Sequence, residues 1–565
     1  MEVATQDKLH TAASYLDDAQ RRGGWTKIKA YSRLSGPGWL QSAITLGGGS
    51  LAGALFLGVV GGYSVLWVQA GAIILGAIML AAISYVTLST GESPFESMRT
   101  RINPVLAWGW ILAALVANMV FVLPQYSLAF GALTENIFPD LGAYSGSFGF
   151  KMGVSLGILV IVTAVTFLYG SGGVGIRIYE NILKAVVGMI VVAFVLVVIK
   201  LALSEAGLPV GQILAGFIPD PGLIFKPSEA YQQVLDTINN DSAREFWSGK
   251  TVAKQRTVLI AAASAAVGIN MTFMLAYSMR AKGWGKSHRG LAIFDLSTGM
   301  VIPFLLATSC IVIASGYLFH GKPYEGVLEE SDGHVVVTAD PAYAAQAAEV
   351  RAMVAERSTG SLENASVEAG ELQLAAMLLN RSNRQFAGSL EALVGPNVAH
   401  LVFGIGVLGM ALSTISVIMV ISGFVICEMF KFPLGGIHFK LGSLLAATGV
   451  LWPLLWTGSS KAYLAVPAFV FGYTLIPVAF LAFFLMMNSR KLLGESFPTG
   501  RSRIIWNVLM GITLLVTGTA SIATAWGKSI SVAGALLPIG KIFIIGYGIA
   551  IVIGHYYLKQ RNRNG

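Results

Sequence analysis

The chain has 565 residues, 55% of them hydrophobic and 12% charged, with a formal net charge of +9. So little polar surface cannot cover so large an apolar mass in water, which excludes a soluble globule and leaves a polytopic membrane protein. The two cysteines, Cys310 and Cys427, both fall in apolar segments and imply neither a disulfide framework nor a cysteine metal site.

In chain order, residues 1–35 are polar (MEVATQDKLHTAASYLDDAQRRGGW at the start) and lack the apolar core of a cleavable signal, so the first span is expected to act as its own signal. A spanning helix needs about 20 apolar residues. That template gives segments near 36–60, 63–87, 104–133, 150–170, 178–203, 256–279, 291–318, 399–429, 440–458, 462–487, 504–526 and 534–558. Arg21, Arg22, Lys27, Lys29 and Arg33 fall on one side, as do Arg99 and Arg101, then Arg280, Lys282, Lys286 and Arg289. Arg490, Lys491, Arg501, Arg503, Lys559, Arg561 and Arg563 continue the pattern. This bias places both termini in the cytoplasm of a plasma (inner) membrane, with an even number of spans. The positive charge is therefore a topology signal and not a nucleic-acid footprint; the expected partners are the lipid bilayer and a transported solute.

Two polar segments, 204–255 and 319–398, fall on the opposite side. Helical spacing of apolar residues within 340–393 predicts a small helical cap there. Since loop insertions are often neutral, such a cap carries no function by itself.

The first span contains SAITLGGGSLAGALFLG, with Gly47, Gly48, Gly49 and Ser50 interrupting an apolar run. Each glycine costs a helix about 1 kcal/mol relative to alanine. Five spans later, AAVGINMTFMLAY carries Gly268, Asn270 and Thr272 at the corresponding place. Paired interruptions in spans one and six point to two inverted five-span repeats with a substrate site at the broken helices, where freed backbone groups line a cavity. Close helix packing by small residues is the competing explanation. The expected division is 1–35 cytoplasmic, 36–203 first repeat, 204–255 outside loop, 256–487 second repeat interrupted by 319–398, 488–558 two further spans, and 559–565 a cytoplasmic tail. The expected site is Thr45, Gly47, Gly48, Gly49, Ser50, Gly268, Asn270 and Thr272.

SGPGWLQSAITLGGGS followed by GGYSVLWV resembles the opening of the NRAMP family of metal-ion transporters. GVGIRIYENILKAVVG, AAVG, ALSTISVIMVISGFVICEMF and NSRKLLGE continue the resemblance in order, over roughly 33–317 and 399–526. It implies an all-α LeuT-like fold of two inverted five-helix repeats plus two further helices. The departures concern the site. The family's DPGN falls on Gly47, Gly48, Gly49 and Ser50, so its aspartate and asparagine ligands are missing. The family's methionine falls on Thr272, with Phe273 and Met274 after it. Its span-three acids fall near Asn118 and Phe121, and its span-ten polar ligand near Val470, which argues against its usual proton coupling.

Without a carboxylate a bare divalent ion would pay a large dehydration cost. Magnesium keeps its waters, so oxygens from Thr45, Ser50, Asn270 and Thr272 are candidate metal ligands, with Ser50, Asn270 and Thr272 foremost. The rival reading takes an anion, a carboxylate-bearing solute or bicarbonate on free N–H groups at the second half-helix. Asn118, Gln125, Ser413, Thr414, Ser416, Tyr473 and Thr474 are pathway candidates. Asp295 and Glu180 read as gating or ion-pairing residues, and Met271 and Met274 as packing. No phosphate loop, zinc motif or nucleophile elbow appears, so no enzyme and no cofactor are expected.

Overall fold

A computed structural model describes residues 14–169, 198–203, 207–331, 333–357, 366–388, 395–434, 436–458, 460–532 and 535–564, with scattered positions between 178 and 196. The fifth expected span, the motif GVGIRIYENILKAVVG and Glu180 lie largely or wholly outside the described residues.

The chain folds as helices almost throughout: α1 (Gly24–Leu34), α2 (Pro37–Thr45), α3 (Gly48–Gly61), α4 (Leu66–Thr90), α5 (Pro94–Arg101), α6 (Pro104–Gly131) and α7 (Phe148–Tyr169). The second half brings α8 (Asp241–Ala266), α9 (Ile269–Ala281), α10 (Arg289–Leu296) and α11 (Ile302–Phe319). After a cap containing α12 (Ala344–Arg357), α13 (Ala369–Met377) and α14 (Asn383–Gly388) come α15 (Pro396–Met429), α16 (Gly436–Ser443), α17 (Ala465–Met487), α18 (Gly500–Trp526) and α19 (Ile539–Asn564). Among the described residues, ten helical stretches are long and apolar enough to cross a membrane. The first, Gly48–Thr90, turns at Gly62 (φ +57°) into two crossings, α3 and α4. Every expected span except the fifth is thereby accounted for.

Local sequence explains the joints. Asn103 caps α6 by accepting from the N–H of Val105 (2.8 Å) and Leu106 (3.2 Å), with Pro104 supplying a ready-made first helical position. Gly91 (φ +67°) closes α4 in the left-handed conformation. The first span breaks at Leu46 and Gly47, whose backbones are φ −96°, ψ 32° and φ −82°, ψ 178°. The sixth breaks at Val267 (φ −145°, ψ 107°) and Gly268 (φ −86°, ψ 160°). Both expected interruptions are real. Neither break uses a positive φ, so glycine is not required there for backbone freedom. The half-helix α3 packs mainly on α11 and α8, α15 on α6 and α16, and α17 on α6, α8 and α18.

The cap is a second hydrophobic core. Tyr231, Val234, Leu235, Ile238 and Trp247 from the segment before span six pack with Tyr324, Val350 and Leu374 of the 319–398 insertion. The two polar segments therefore lie on one face, as their charge pattern predicts. The cap is helical where expected, but it also contains a β-hairpin, β1 (Leu328–Ser331) and β2 (His334–Val337), paired antiparallel with Leu328 opposite Val337. Gly333 (φ +76°) supplies its turn. At the cap's centre, Arg357 and Glu371, both fully buried, pair through Nε–Oε2 (2.6 Å) and Nη2–Oε1 (2.8 Å). Trp247 Nε1 also donates to Glu371 (2.8 Å). The cap then reaches the bundle through Phe386 of α14, which meets Phe56 of α3 edge-on at 5.8 Å and Phe319 of α11 at 5.4 Å.

Candidate substrate site at the paired helix breaks

Gly47 caps α3 and Gly48 and Gly49 begin it, and each of the three faces a different helix. A Cβ at Gly47 would overlap Thr414 Oγ1 of α15 and lie 2.8 Å from Ile44 O. At Gly48 it would lie 2.6 Å from Gln125 Oε1 and 2.7 Å from Leu128 Cδ1, both on α6. At Gly49 it would overlap the Phe469 ring of α17. Successive helical residues point about 100° apart, so one turn of a half-helix is seated against three neighbours at once. The helix break and the close packing are thus one feature.

The expected oxygen ligands are all buried and mostly engaged. Thr45 Oγ1 donates to Gln41 O (2.8 Å). Ser50 Oγ donates to Ala265 O (2.9 Å), tying the first turn of α3 to the last turn of α8. Asn270 Nδ2 donates to Asn118 Oδ1 (2.9 Å), and Asn118 Nδ2 to Ser422 Oγ (3.2 Å), which links α9, α6 and α15. Asn270 Oδ1 accepts from Met271 N (3.0 Å). Thr272 turns elsewhere: its hydroxyl donates to Ile269 O (2.5 Å) and accepts from Trp110 Nε1 (2.8 Å). Gly268 leaves room for Asn270 Oδ1 and the Phe121 ring, 2.7 and 3.1 Å from a Cβ placed there.

Sequence reasoning treats Met271 as packing, yet its sulfur sits between the breaks, 3.6 Å from Thr45 Oγ1 and 3.4 Å from Gly268 N. Phe469 likewise went unnoticed. Its ring stacks on Phe121 with centroids 4.6 Å apart and planes at 11°, and the pair fills the space against Gly49, Gly268 and Gly472. Gln41 Nε2 donates to Met271 O (3.1 Å) across the two broken helices. A lone amide six residues before the glycine triplet, inside an apolar span, was the signal for Gln41.

The pathway candidates divide. Asn118 and Gln125 face the breaks; Thr414 donates to Met410 O (2.8 Å), and its Oγ1 lies 3.4 Å from Ala43 O near the end of α2. Ser413 bonds within α15 to Met410 O (3.0 Å), and Ser416 pairs with Thr166 (2.6 Å). Tyr473 is buried, and its carbonyl accepts from Ser521 Oγ (2.8 Å); Thr474 bonds only to Phe471 O (2.7 Å). Asp295 was read as a gating or ion-pairing residue, but it caps a helix: its carboxylate accepts from Gly36 N (3.1 Å) and Gly38 N (2.7 Å) at the start of α2. A side chain at Gly38 would overlap the Asp295 carbonyl, which explains the GPG sequence there. Among the described residues, no group of three or more His, Cys, Asp or Glu could hold a metal ion.

Paired broken helices at the centre of an inverted-repeat bundle define a multi-pass transporter of the LeuT-like fold. The chain belongs to the Nramp family: the sequence model described as "Natural resistance-associated macrophage protein-like" matches residues 38–345 and 370–526. The match runs through most of the cap, which the motif resemblance left out, and omits only 346–369 within it. Solved structures agree on the fold. The Eremococcus coleocola manganese transporter in complex with an aromatic bis-isothiourea compound is 15% identical, with a TM-score of 0.61 over 96% of this chain and 97% of that one. A histidine-to-alanine and a glutamate-to-glutamine mutant of that transporter align at 15% identity with TM-scores of 0.59 over the same shares. No curated protein matches the chain.

Proposed function

We propose that the chain is a secondary transporter of a divalent metal cation, magnesium-like and held with part of its water, working without the proton coupling usual in its family. Family membership and the fold shared with manganese transporters support metal-ion transport. The observation that carries the finer reading is the uncharged lining of the breaks: Thr45, Gly47, Gly48, Gly49, Ser50, Gly268 and Asn270 bring no charged side chain to them, and Thr272, whose hydroxyl turns to Trp110, brings none either. A bare divalent ion would lose hydration there without a compensating negative charge; an ion that keeps its waters avoids that cost. The Met271 sulfur accepts from Gly268 N (3.4 Å) and lies 3.6 Å from the Thr45 hydroxyl, whose proton goes to Gln41 O (2.8 Å), so the thioether is tied to the break's own backbone. Asn118 and Phe121, in the span that carries protons in the family, are an amide bonded to Asn270 and a ring stacked on Phe469. Neither binds a proton. In this reading the cap face is outside and both termini are cytoplasmic.

One observation favours an anion: α3 starts at Gly48, so its dipole and first N–H groups lie at the break. Uptake by purified protein in liposomes separates the two. We expect magnesium uptake that rises with an inside-negative potential, since each charge moved gains about 2.3 kcal/mol per 100 mV, and no substrate-linked acidification. Uptake of carboxylates or bicarbonate with no metal response would overturn the metal reading. Acidification matching the metal flux would overturn the uncoupled one. An aspartate at Gly47, where the family keeps one, is a blunt probe, since its side chain would meet Thr414; it needs Thr414→Ala beside it.

A further inference from the structure

The hydroxyls and amides expected to bind substrate already have hydrogen-bond partners, yet two amide oxygens at the same break have none. Gln41 Oε1 and Gln125 Oε1 are buried without a hydrogen-bond partner, and both residues are 0% exposed. They bracket the interruption. Gln41 sits five residues before it on α2, its Nε2 anchored on Met271 O at 3.1 Å. Gln125 comes from α6 on the other side, its Oε1 directly over Gly48, the first residue after the break. Its Nε2 is held by Phe121 O at 3.4 Å, so the oxygen is the end left toward α3.

An unpaired buried acceptor costs stability and persists where something supplies its donor. The geometry points to Gln41 and Gln125 as the residues that recognise the transported cation through its water shell, each amide oxygen accepting a hydrogen bond from a retained water. This rests on the metal-cation reading above and deepens it. A hydrated cation presents hydrogens outward, so its shell is read by neutral acceptors, with no carboxylate needed. Water-mediated bonds are nearly as favourable as direct ones. An ion that sheds water readily gains nothing from such acceptors, so the pair selects for an ion that holds its shell, as magnesium does. The two residues belong to different helices, α2 of the broken span and α6 beside it. The site is therefore complete only while the half-helix rests against α6.

The test uses the full-length protein in liposomes. Hexaamminecobalt(III) cannot release its ligands and presents N–H groups outward as a hydrated ion presents O–H groups. It should inhibit magnesium uptake competitively in the unsubstituted protein. Gln125→Met and Gln41→Met keep chain length but remove the acceptor. Each should raise the magnesium KM about tenfold, lower the magnesium-to-manganese preference and weaken the cobalt complex as inhibitor in parallel. A merely structural glutamine would alter expression or maximal rate but not the preference ratio. Gln41→Met also loses the Met271 anchor, so Gln125→Met and the inhibition of unsubstituted protein decide the matter. Magnesium uptake insensitive to hexaamminecobalt(III), or an unchanged preference in Gln125→Met, would overturn the inference while leaving metal transport standing. No divalent-cation uptake at all would overturn the metal reading, and this inference with it.

Discussion

Replacing Gly49 with alanine asks whether the glycine triplet is set by packing against α17. The new methyl would fall within the Phe469 ring. That ring cannot simply retreat, because it is stacked on Phe121 at 4.6 Å and Phe121 itself abuts Gly268 and Gly472. Forcing a methylene into a filled site costs about 1–3 kcal/mol, and losing the ring stack costs about 0.5–1.5 kcal/mol more. Alanine's better helix propensity returns at most about 1 kcal/mol, less in a first turn. A net destabilisation of about 1–3 kcal/mol is expected, together with slowed uptake, because the same rings line the breaks. Thermal unfolding of Gly49→Ala, Phe469→Leu and the double variant in detergent provides the cycle. The double variant should be more stable than the sum of the singles by at least about 1 kcal/mol, since the clash is gone once the ring is removed. A Gly49→Ala protein as stable as the original, with additive effects in the cycle, would refute this account of the triplet.

Two further outcomes follow from the cap face. Arg357→Met strands the buried Glu371 carboxylate, which typically costs about 3–5 kcal/mol; limited proteolysis should cut within 344–377 far sooner than in the original protein, and equal resistance would show that the pair contributes little. His320 lies beyond α11, and burial holds its pKa below the ordinary value of about 6.5, against the opposing pull of its bond to Val59 O (2.9 Å). A depressed imidazole pKa means the neutral ring is favoured in the fold. Its contribution is present above about pH 6.5 and is lost as pH falls through the lower folded value. Thermal stability should drop in that window, and the drop should shrink in His320→Asn; an unchanged pH profile would count against it.

The spans were legible because twenty apolar residues have few other uses, and the breaks because three glycines and a VGIN run interrupt them. What each glycine faces was not legible, because Gly47, Gly48 and Gly49 meet Thr414, Gln125 and Phe469, residues far away in sequence. The partners of Asp295 were hidden for the same reason: nothing local tells a carboxylate that it will accept from the amides of Gly36 and Gly38. The hairpin at 328–337 carried a readable signal, an Asp-Gly pair followed by a run of valines, but the neighbouring acidic residues masked it.

The side chains nearest the breaks are sequence neighbours of those that the resemblance marks. It places the family's methionine on Thr272 and its span-ten ligand near Val470, while Met271 and Phe469 lie against the broken ends. One residue along an α-helix turns a side chain by about 100°, enough to carry Thr272 to Trp110 and bring Met271 between the broken ends. A thioether there would argue for a soft transition metal if it were free. Here Gly268 N donates to it, while the Thr45 hydroxyl 3.6 Å away gives its proton to Gln41 O. Under the inference drawn above, what distinguishes one cation from another would pass to two unpaired amide oxygens at the break, those of Gln41 and Gln125. Selection would then depend on how firmly an ion keeps its water, as magnesium does.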